Sequence, residues 1–114
     1  MTFVATPRQG VPRDADLDVA VEVLRLLANR SRLAILAMLE DTEMSVTAIA
    51  EALNRPGPAV SQHLARLRTG GLVVARREGT TIYYGQPDGH VAALVTNVLQ
   101  HAEHVLYVTP PHHG

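Results

Sequence analysis

The stretch from Asp88 to His104 predicts one long helix, and it constrains the fold more than any other part of the chain. Asp88 is a good N-cap residue, because its side-chain oxygen can accept a backbone N–H of the first turn. Pro87 prevents an earlier helix from running into it. Apolar residues then recur at helical spacing: Val91, Leu94, Val95, Val98, Leu99, Ala102 and Val105. The stretch is therefore predicted to be a closing helix with one apolar face.

Three histidines lie on one stripe of this helix, at the border of the apolar face. At about 100° per residue, His101 lies about 20° around the helix from His90, and His104 lies about 40° to the other side. His90 and His101 are about 16 Å apart along the axis, whereas a zinc–nitrogen bond is about 2.0–2.1 Å. One helix therefore cannot bring both ends to one ion, but a second, antiparallel copy can.

This spacing predicts a metal site that is shared by two chains. One chain supplies the first two ligands and the other chain the last two, which gives two equivalent sites in a symmetric dimer. The predicted ligands are Asp88, His90, His101 and His104. The alternative is that the histidines form a solvated or partner-packed surface; the additional carboxylate close to His90 in the sequence, and the apolar face beside the histidines, favour the metal site.

The composition limits the other possibilities. A chain of 114 residues predicts one domain. No run approaches the about 20 apolar residues that a membrane span needs. Residues 1–10 lack the apolar core of a secretory signal, so we expect a cytoplasmic protein. Because the chain has no cysteine, any metal must take nitrogen and oxygen ligands.

Positive charge is concentrated in the middle of the chain. The net charge is −1, but residues 52–77 contain no acidic residue. The arginines of this window are Arg55, Arg66, Arg68, Arg76 and Arg77. A local basic face on a nearly neutral protein is typical of DNA binding through one surface.

The first half of the chain predicts helices with short connections. The first helix runs from Asp14, since acidic residues favour the positive end of the helix dipole, to about Ala28. The second has Ser31 as its candidate N-cap and ends near Glu40. Residues 41–44 are predicted to be a polar connector.

The next two helices predict a helix-turn-helix. Ser45 is expected to cap the third helix, and residues 54–57 have the composition of a turn. The fourth helix begins at Pro58, where a first helical residue tolerates proline, and ends near Thr69. Two short helices joined by a tight turn that contains glycine form this motif.

Two runs of β-branched and aromatic residues follow, Leu72–Arg77 and Thr80–Tyr84, and they predict a β-hairpin where a winged helix-turn-helix has its wing. The predicted fold class is mainly α with a small β-hairpin, a winged helix-turn-helix. Residues 1–13 are predicted to be a disordered tail and residues 14–106 the DNA-binding and dimerisation domain. Residues 107–114 are predicted to be a flexible tail that contains histidine.

Polar side chains on the fourth helix point away from its apolar stripe and predict a DNA-reading surface. Serine and glutamine can hydrogen-bond base edges or phosphates, and arginine can bind guanine or a phosphate. The candidate DNA-binding residues of this helix and the wing are Ser61, Gln62, His63, Arg66, Arg68, Arg76 and Arg77. His63 lies nearer the apolar stripe, which favours backbone contact or packing. The alternative, a winged helix that binds another protein, fits the one-sided arginine cluster less well.

Several segments together carry a family resemblance. They are residues 27–36 (LANRSRLAIL), residues 60–67 (VSQHLARL), and residues 71–73 and 76–84 (GLV and RREGTTIYY). In this order they resemble the ArsR/SmtB family of bacterial transcriptional repressors, over nearly the whole folded part of the chain. Pro58 departs from the family, whose recognition helices often carry serine there, so an operator preference is not carried over.

The resemblance implies a homodimer that binds an imperfect palindrome in operator DNA. In many members of the family, metal binding lowers DNA affinity and lifts repression. The pattern D-x-H-x10-H-x2-H matches the family's metal site on the C-terminal helix, and the nearest likeness is to the nickel/cobalt sensors, with zinc as the alternative. Possible additional ligands are Glu103, His112 and His113. We expect the dimer to form through the first and last helices, because the apolar stripe of the last helix is too large to leave in water.

The sequence therefore predicts a metal-responsive repressor. Four ligands of this type suit tetrahedral zinc, and six-coordinate nickel would need two more. The alternative is a winged-helix regulator whose effector is a partner protein or another non-metal signal. An enzyme is not expected, because the chain has no nucleophile–base pair and no phosphate-cradling loop, and the predicted metal site is fully ligated.

Overall fold

The computed structural model describes residues 10–108. Most of both predicted tails, including His112 and His113, lies outside the described residues. The helices within this range are α1 (Asp14–Leu27), α2 (Arg30–Met38), α3 (Val46–Leu53), α4 (Gly57–Thr69) and α5 (Gly89–Val108). The strands are β1 (Met44–Ser45), β2 (Val74–Glu78) and β3 (Thr81–Gly85). The predicted class, mainly α with a small β-hairpin, is confirmed.

Side-chain caps determine where several helices begin. The Ser45 hydroxyl accepts the backbone N–H of Ala48 at 3.2 Å, as predicted. At α2 the prediction of Ser31 was wrong, because Asn29 is the capping residue. Its side chain accepts the backbone N–H of Arg32 at 3.0 Å, and its backbone is extended (φ −153°, ψ 127°). Ser31 already lies inside the helix, so its hydroxyl comes too late in the chain to cap it.

The helix-turn-helix is formed by α3 and α4. Asn54 ends α3 in the left-handed conformation, at φ 54°. α4 begins at Gly57, one residue earlier than predicted, and Pro58 lies in its first turn, where a missing N–H removes no helical hydrogen bond. The helix ends at Thr69, as predicted, and Gly71 follows at φ 78°.

The wing is part of a three-stranded antiparallel sheet in the order β1-β3-β2. β1 was missed, since residues 41–44 were predicted to be a connector and two residues are too few to display an alternating pattern. The predicted first strand began too early: Leu72 and Val73 are core residues that precede β2. The hairpin turns at Gly79, where φ is 64°.

The core lies where α2, α3 and α4 meet the start of α5. Its buried residues are Leu27, Ile35, Leu36, Leu39, Ile49, Val60, Leu64, Leu67, Leu72, Val73, Val91 and Val95. The connection into α5 is fixed to this core by Gln86, whose side chain donates to the Leu36 carbonyl at 2.7 Å. The second half of α5 therefore extends beyond the core of the single chain.

Apolar side chains remain exposed on the two helices that flank the core. On α1 the exposed fraction is 57% for Leu24, and on α5 it is 40% for Val98 and 61% for Leu106. α5 includes Tyr107 and Val108, which the sequence prediction placed in the C-terminal tail. None of the helices in residues 10–108 combines the length and the apolar character that a membrane crossing requires.

Candidate nucleic-acid interface and metal-ligand helix

α4 has one buried face and one exposed face. Val60, Leu64 and Leu67 are buried in the core, which turns the opposite side of the helix to the surface. The candidate DNA-binding side chains that are exposed there are Ser61, Gln62, Arg66 and Arg68. The helix is therefore oriented as its apolar spacing predicted, with hydrogen-bonding and cationic groups on one accessible surface.

His63 differs from these residues because it is only half-exposed and contacts another helix. Its Nδ1 atom lies 3.4 Å from Nη1 of Arg32 in α2. Burial lowers the pKa of His63, and the positive charges of Arg32, Arg66 and Arg55 lower it further. A guanidinium group can only donate hydrogen bonds, so Nδ1 is the acceptor and the neutral ring carries its proton on Nε2.

Arg32 was not among the residues predicted from the sequence, yet it contacts α1 as well as His63 of α4. Its Nε donates to the Leu26 carbonyl at 2.7 Å, and its Nη2 donates to the Arg25 carbonyl at 3.2 Å. These carbonyls belong to the last turn of α1, where the negative end of the helix dipole also stabilises a nearby cation. Only the family-like segment around Arg32 could have drawn attention to it, since its contacts are distant in sequence.

In the wing, Arg76 and Arg77 are in different environments. The Arg76 guanidinium makes ion pairs with Glu43, at 2.8 Å, and with Glu78, at 3.2 Å, and it lies 5.2 Å from the ring centroid of Tyr83. Arg77 is exposed and pairs in register with Ile82, on the opposite face of the hairpin. Within residues 10–108 it makes no ion pair, so its charge is the more available of the two.

At the start of α5, Asp88 is the N-cap, as predicted. Its Oδ1 atom accepts the backbone N–H of His90 at 2.9 Å and that of Val91 at 3.4 Å. The hydrogen bonds of the described residues use Oδ1 alone, which leaves Oδ2 for another partner. Both Asp88 and His90 are exposed.

The other two predicted metal ligands lie near the far end of α5. The His101 and His104 rings are stacked side by side, with centroids 6.4 Å apart and an interplanar angle of 21°. Both are exposed, as is Glu103. In residues 10–108 of one chain, no three His, Cys, Asp or Glu side chains come close enough to hold an ion. His101 and His104 are therefore neighbours, about three turns of α5 away from His90.

The chain is similar to known proteins in both sequence and fold. A profile described as "Helix-turn-helix domain" matches residues 27–76. The HTH-type transcriptional regulator KmtR of Mycobacterium tuberculosis is 46% identical over 100 residues, which cover 88% of this chain and 77% of KmtR. The HTH-type transcriptional repressor SmtB of the same species is 40% identical over 101 residues, covering 89% of this chain and 71% of SmtB.

Among solved structures, the homodimeric winged helix-turn-helix DNA-binding domain Mb0332 of Mycobacterium bovis superimposes with a TM-score of 0.78. The sequence identity is 38%, and the match covers 97% of this chain and 99% of that one. The fold and the exposed face of α4 define a winged helix-turn-helix transcriptional regulator. The chain belongs to the ArsR/SmtB family. It is accordingly a DNA-binding regulator and not an enzyme, as predicted.

Proposed function

We propose that the protein is a homodimeric, metal-responsive repressor, which binds operator DNA without metal and leaves it when metal is bound. The observation that carries the proposal is the placement of the candidate ligands at opposite ends of α5. The N-terminal pair, Asp88 and His90, and the C-terminal pair, His101 and His104, are all exposed. A second chain in antiparallel orientation would bring one pair of each kind together.

The exposed apolar surface of α1 and α5 supports the dimer. Leu17, Val21 and Leu24 recur at helical spacing on one side of α1, and all of them are exposed. The second half of α5 adds Val98, Leu99, Val105 and Leu106. An apolar surface of this kind, formed by two neighbouring helices, is typical of a protein–protein interface.

The DNA-binding part of the proposal assigns separate roles to α4 and the wing. Gln62 and Arg66 are exposed on α4 and can reach base edges or phosphates in the major groove. Arg77 is the wing residue that we propose for a phosphate contact, because Arg76 is engaged with two carboxylates. Two such units must present their α4 helices about 34–36 Å apart to enter successive major grooves.

The ligand chemistry fits a borderline divalent cation. Three imidazoles and a carboxylate, without thiolates, suit zinc in four-coordination, and imidazole also suits nickel and cobalt. We propose nickel or cobalt as the effector, in line with the family likeness of the pattern, and zinc as the alternative. The additional ligands that six-coordination would require are proposed to come from Glu103, His112 or His113.

The proposed switch follows from thermodynamic linkage. An ion held by both α5 helices would fix how the two subunits are placed relative to each other. Each α5 is tied to the core of its own subunit by Val91, Val95 and the connection at Gln86. A subunit arrangement that changes the spacing of the two α4 helices weakens DNA binding, and DNA then weakens metal binding by the same factor.

The test is fluorescence anisotropy with DNA from the protein's own promoter, with and without nickel, cobalt or zinc. A typical coupling predicts a loss of DNA affinity of about 5–150-fold for the effective metal, reversed by a chelator. His101→Ala is expected to bind DNA and to ignore the metal. Gln100→Ala is the matched control, since Gln100 is the exposed neighbour on the same helix, and it should respond as the wild type does.

A mixing experiment tests whether the site is shared between chains. One variant carries Asp88→Ala and His90→Ala, and the other carries His101→Ala and His104→Ala. Neither homodimer is expected to bind metal tightly, but the heterodimer regains one complete site. No recovery in the heterodimer would contradict a shared site. If none of the three metals changes the DNA affinity of the wild type, the protein is instead a regulator that responds to a non-metal effector.

A further inference from the structure

A chain of hydrogen bonds joins the carboxyl end of α1 to the middle of α4. Arg32 donates to two carbonyls of the last turn of α1, at 2.7 Å and 3.2 Å, and directs its third nitrogen to Nδ1 of His63 at 3.4 Å. The three contacts use all three nitrogens of one planar guanidinium. A planar fork of this kind restricts both helices in orientation as well as in distance.

A second contact brings the end of α1 close to the end of α4, about two turns beyond His63. Gly70 follows α4 directly, and a Cβ atom built on it would collide with the Leu26 side chain. The atom nearest to that Cβ position is Cδ1 of Leu26, so the Leu26 side chain lies directly against Gly70. The end of α1 is therefore linked to α4 through Arg32 of α2, and its Leu26 side chain also lies against Gly70, the residue that follows α4.

The Arg32–His63 contact holds in only one protonation state of the ring. Because Arg32 can only donate, a proton on Nδ1 would place two donors against each other and break the contact. The charged groups that act on His63 are Arg32 from α2, Arg55 from the turn and Arg66 from α4, and all are positive. At neutral pH the contact is present and His63 adds no charge to the surface of α4.

We infer that Arg32 is a positioning residue that holds the DNA-reading helix α4, through His63, in a fixed orientation to the dimerisation helix α1. The inference rests on the proposed function, in which α1 forms the dimer and α4 enters the groove. His63 then acts by orienting α4 within the subunit. This role differs from a direct contact with DNA, for which it was also a candidate.

A double-mutant cycle in DNA affinity separates the two roles. His63→Leu removes the acceptor, whereas His63→Asn keeps a side-chain oxygen near the position of Nδ1. We expect His63→Leu to weaken DNA binding and His63→Asn to remain close to the wild type. In an Arg32→Gln background the effect of His63→Leu should largely disappear, a coupling of about threefold to thirtyfold. If His63 instead contacts DNA directly, the losses of binding free energy caused by His63→Leu and Arg32→Gln should add.

Arg55→Gln is the matched control for charge. Arg55 also acts on His63 electrostatically but makes no hydrogen bond to it in the described residues. Its loss should therefore be additive with His63→Leu. Should Arg32→Gln fail to fold, Arg32→Lys keeps the charge without the planar fork and replaces it in the cycle.

Two further quantities should change in Arg32→Gln if Arg32 positions α4, and should stay unchanged if Arg32 only stabilises the fold. By NMR titration of the free protein, Arg32→Gln should raise the pKa of His63, because a cation and a hydrogen bond to the neutral ring are removed. In the same variant, the preference for the natural half-site spacing over one lengthened by a base pair should fall, because α4 is held less firmly to α1. An unchanged pKa or additive losses would overturn the inference. Failure of the wild type to bind its promoter would instead overturn the proposed function, and the titration would still test the contact.

Discussion

Nη2 of Arg76 lies 2.8 Å from Oε1 of Glu43, and this ion pair joins β2 to the segment just before β1. Nε of Arg76 also donates to both carboxylate oxygens of Glu43, to Oε1 at 3.0 Å and to Oε2 at 3.3 Å. The Arg76 hydrogen bond lowers the pKa of Glu43, against a smaller opposing effect of desolvation. Arg76 therefore fixes the base of the wing, whereas Arg77 lies on the other face.

This difference predicts distinct effects of the two wing arginines on DNA binding. Arg77→Ala should weaken binding to all sequences alike and flatten the dependence of log K on log salt by about 0.9, the value for one phosphate contact. Arg76→Ala should leave that slope unchanged and lower the thermal stability instead. Anisotropy titrations between low and physiological salt measure both. If Arg76→Ala reduced the slope and Arg77→Ala did not, the phosphate contact would belong to Arg76, and the prediction would be wrong.

The ion pair also predicts a pH dependence of stability. The pKa of Glu43 is lower in the folded protein than in the unfolded chain. The contribution of the ionised carboxylate to the free energy of unfolding is therefore complete above the ordinary pKa range of glutamate, and it is lost as the pH falls through the pKa of the folded protein. Glu43→Gln should therefore be less stable than the wild type at neutral pH and lose less on acidification. Thermal unfolding at several pH values tests this. Glu51→Gln is the control, since Glu51 is exposed and makes no ion pair in residues 10–108, and it should follow the wild type.

The starts of α3 and α5 were predictable because capping is local in sequence. Ser45 and Asp88 accept N–H groups two or three residues ahead, so the sequence contains both partners within one turn. Ser31 was a wrong choice for the same local reason: Asn29 lies two residues earlier and is an equally good cap. β1 has two residues and exists by pairing with β3, so its own residues carry no signal.

The differences within the candidate DNA-binding set could not be predicted from the sequence. Arg76 and Arg77 are adjacent and chemically identical, and only the fold brings Glu43, 33 residues away, to one of them. Arg32 and His63 are 31 residues apart, and their contact depends on how α2 packs against α4. Periodicity determines which side of a helix is exposed, but it does not determine which exposed charge is already paired.

The exposed apolar stripe of α1 predicts how the dimer can be broken. Leu24 is 57% exposed and shares its side of the helix with Leu17, whereas Val19 is 64% exposed but lies about 200° around the helix from Leu17. Leu24→Glu should shift the protein to monomers at micromolar concentration, because it places a charge in the interface. Val19→Glu should remain dimeric. Sedimentation velocity gives the answer, and equal behaviour of the two variants would rule out this stripe as the interface.

Asp88 has two proposed roles that substitution can separate. Its Oδ1 atom caps α5, and its charge is proposed to hold the metal. Asp88→Asn retains an oxygen that can accept the N–H of His90, and asparagine caps helices about as well as aspartate. Asp88→Ala removes the oxygen and should lower the free energy of unfolding by about 0.5–2 kcal/mol. Unfolding in urea should therefore distinguish alanine from the other two proteins, whereas calorimetric titration with nickel, cobalt or zinc should show weaker binding for both variants. Tight metal binding by Asp88→Asn, comparable to the wild type, would remove this carboxylate from the proposed site and leave it as a cap alone.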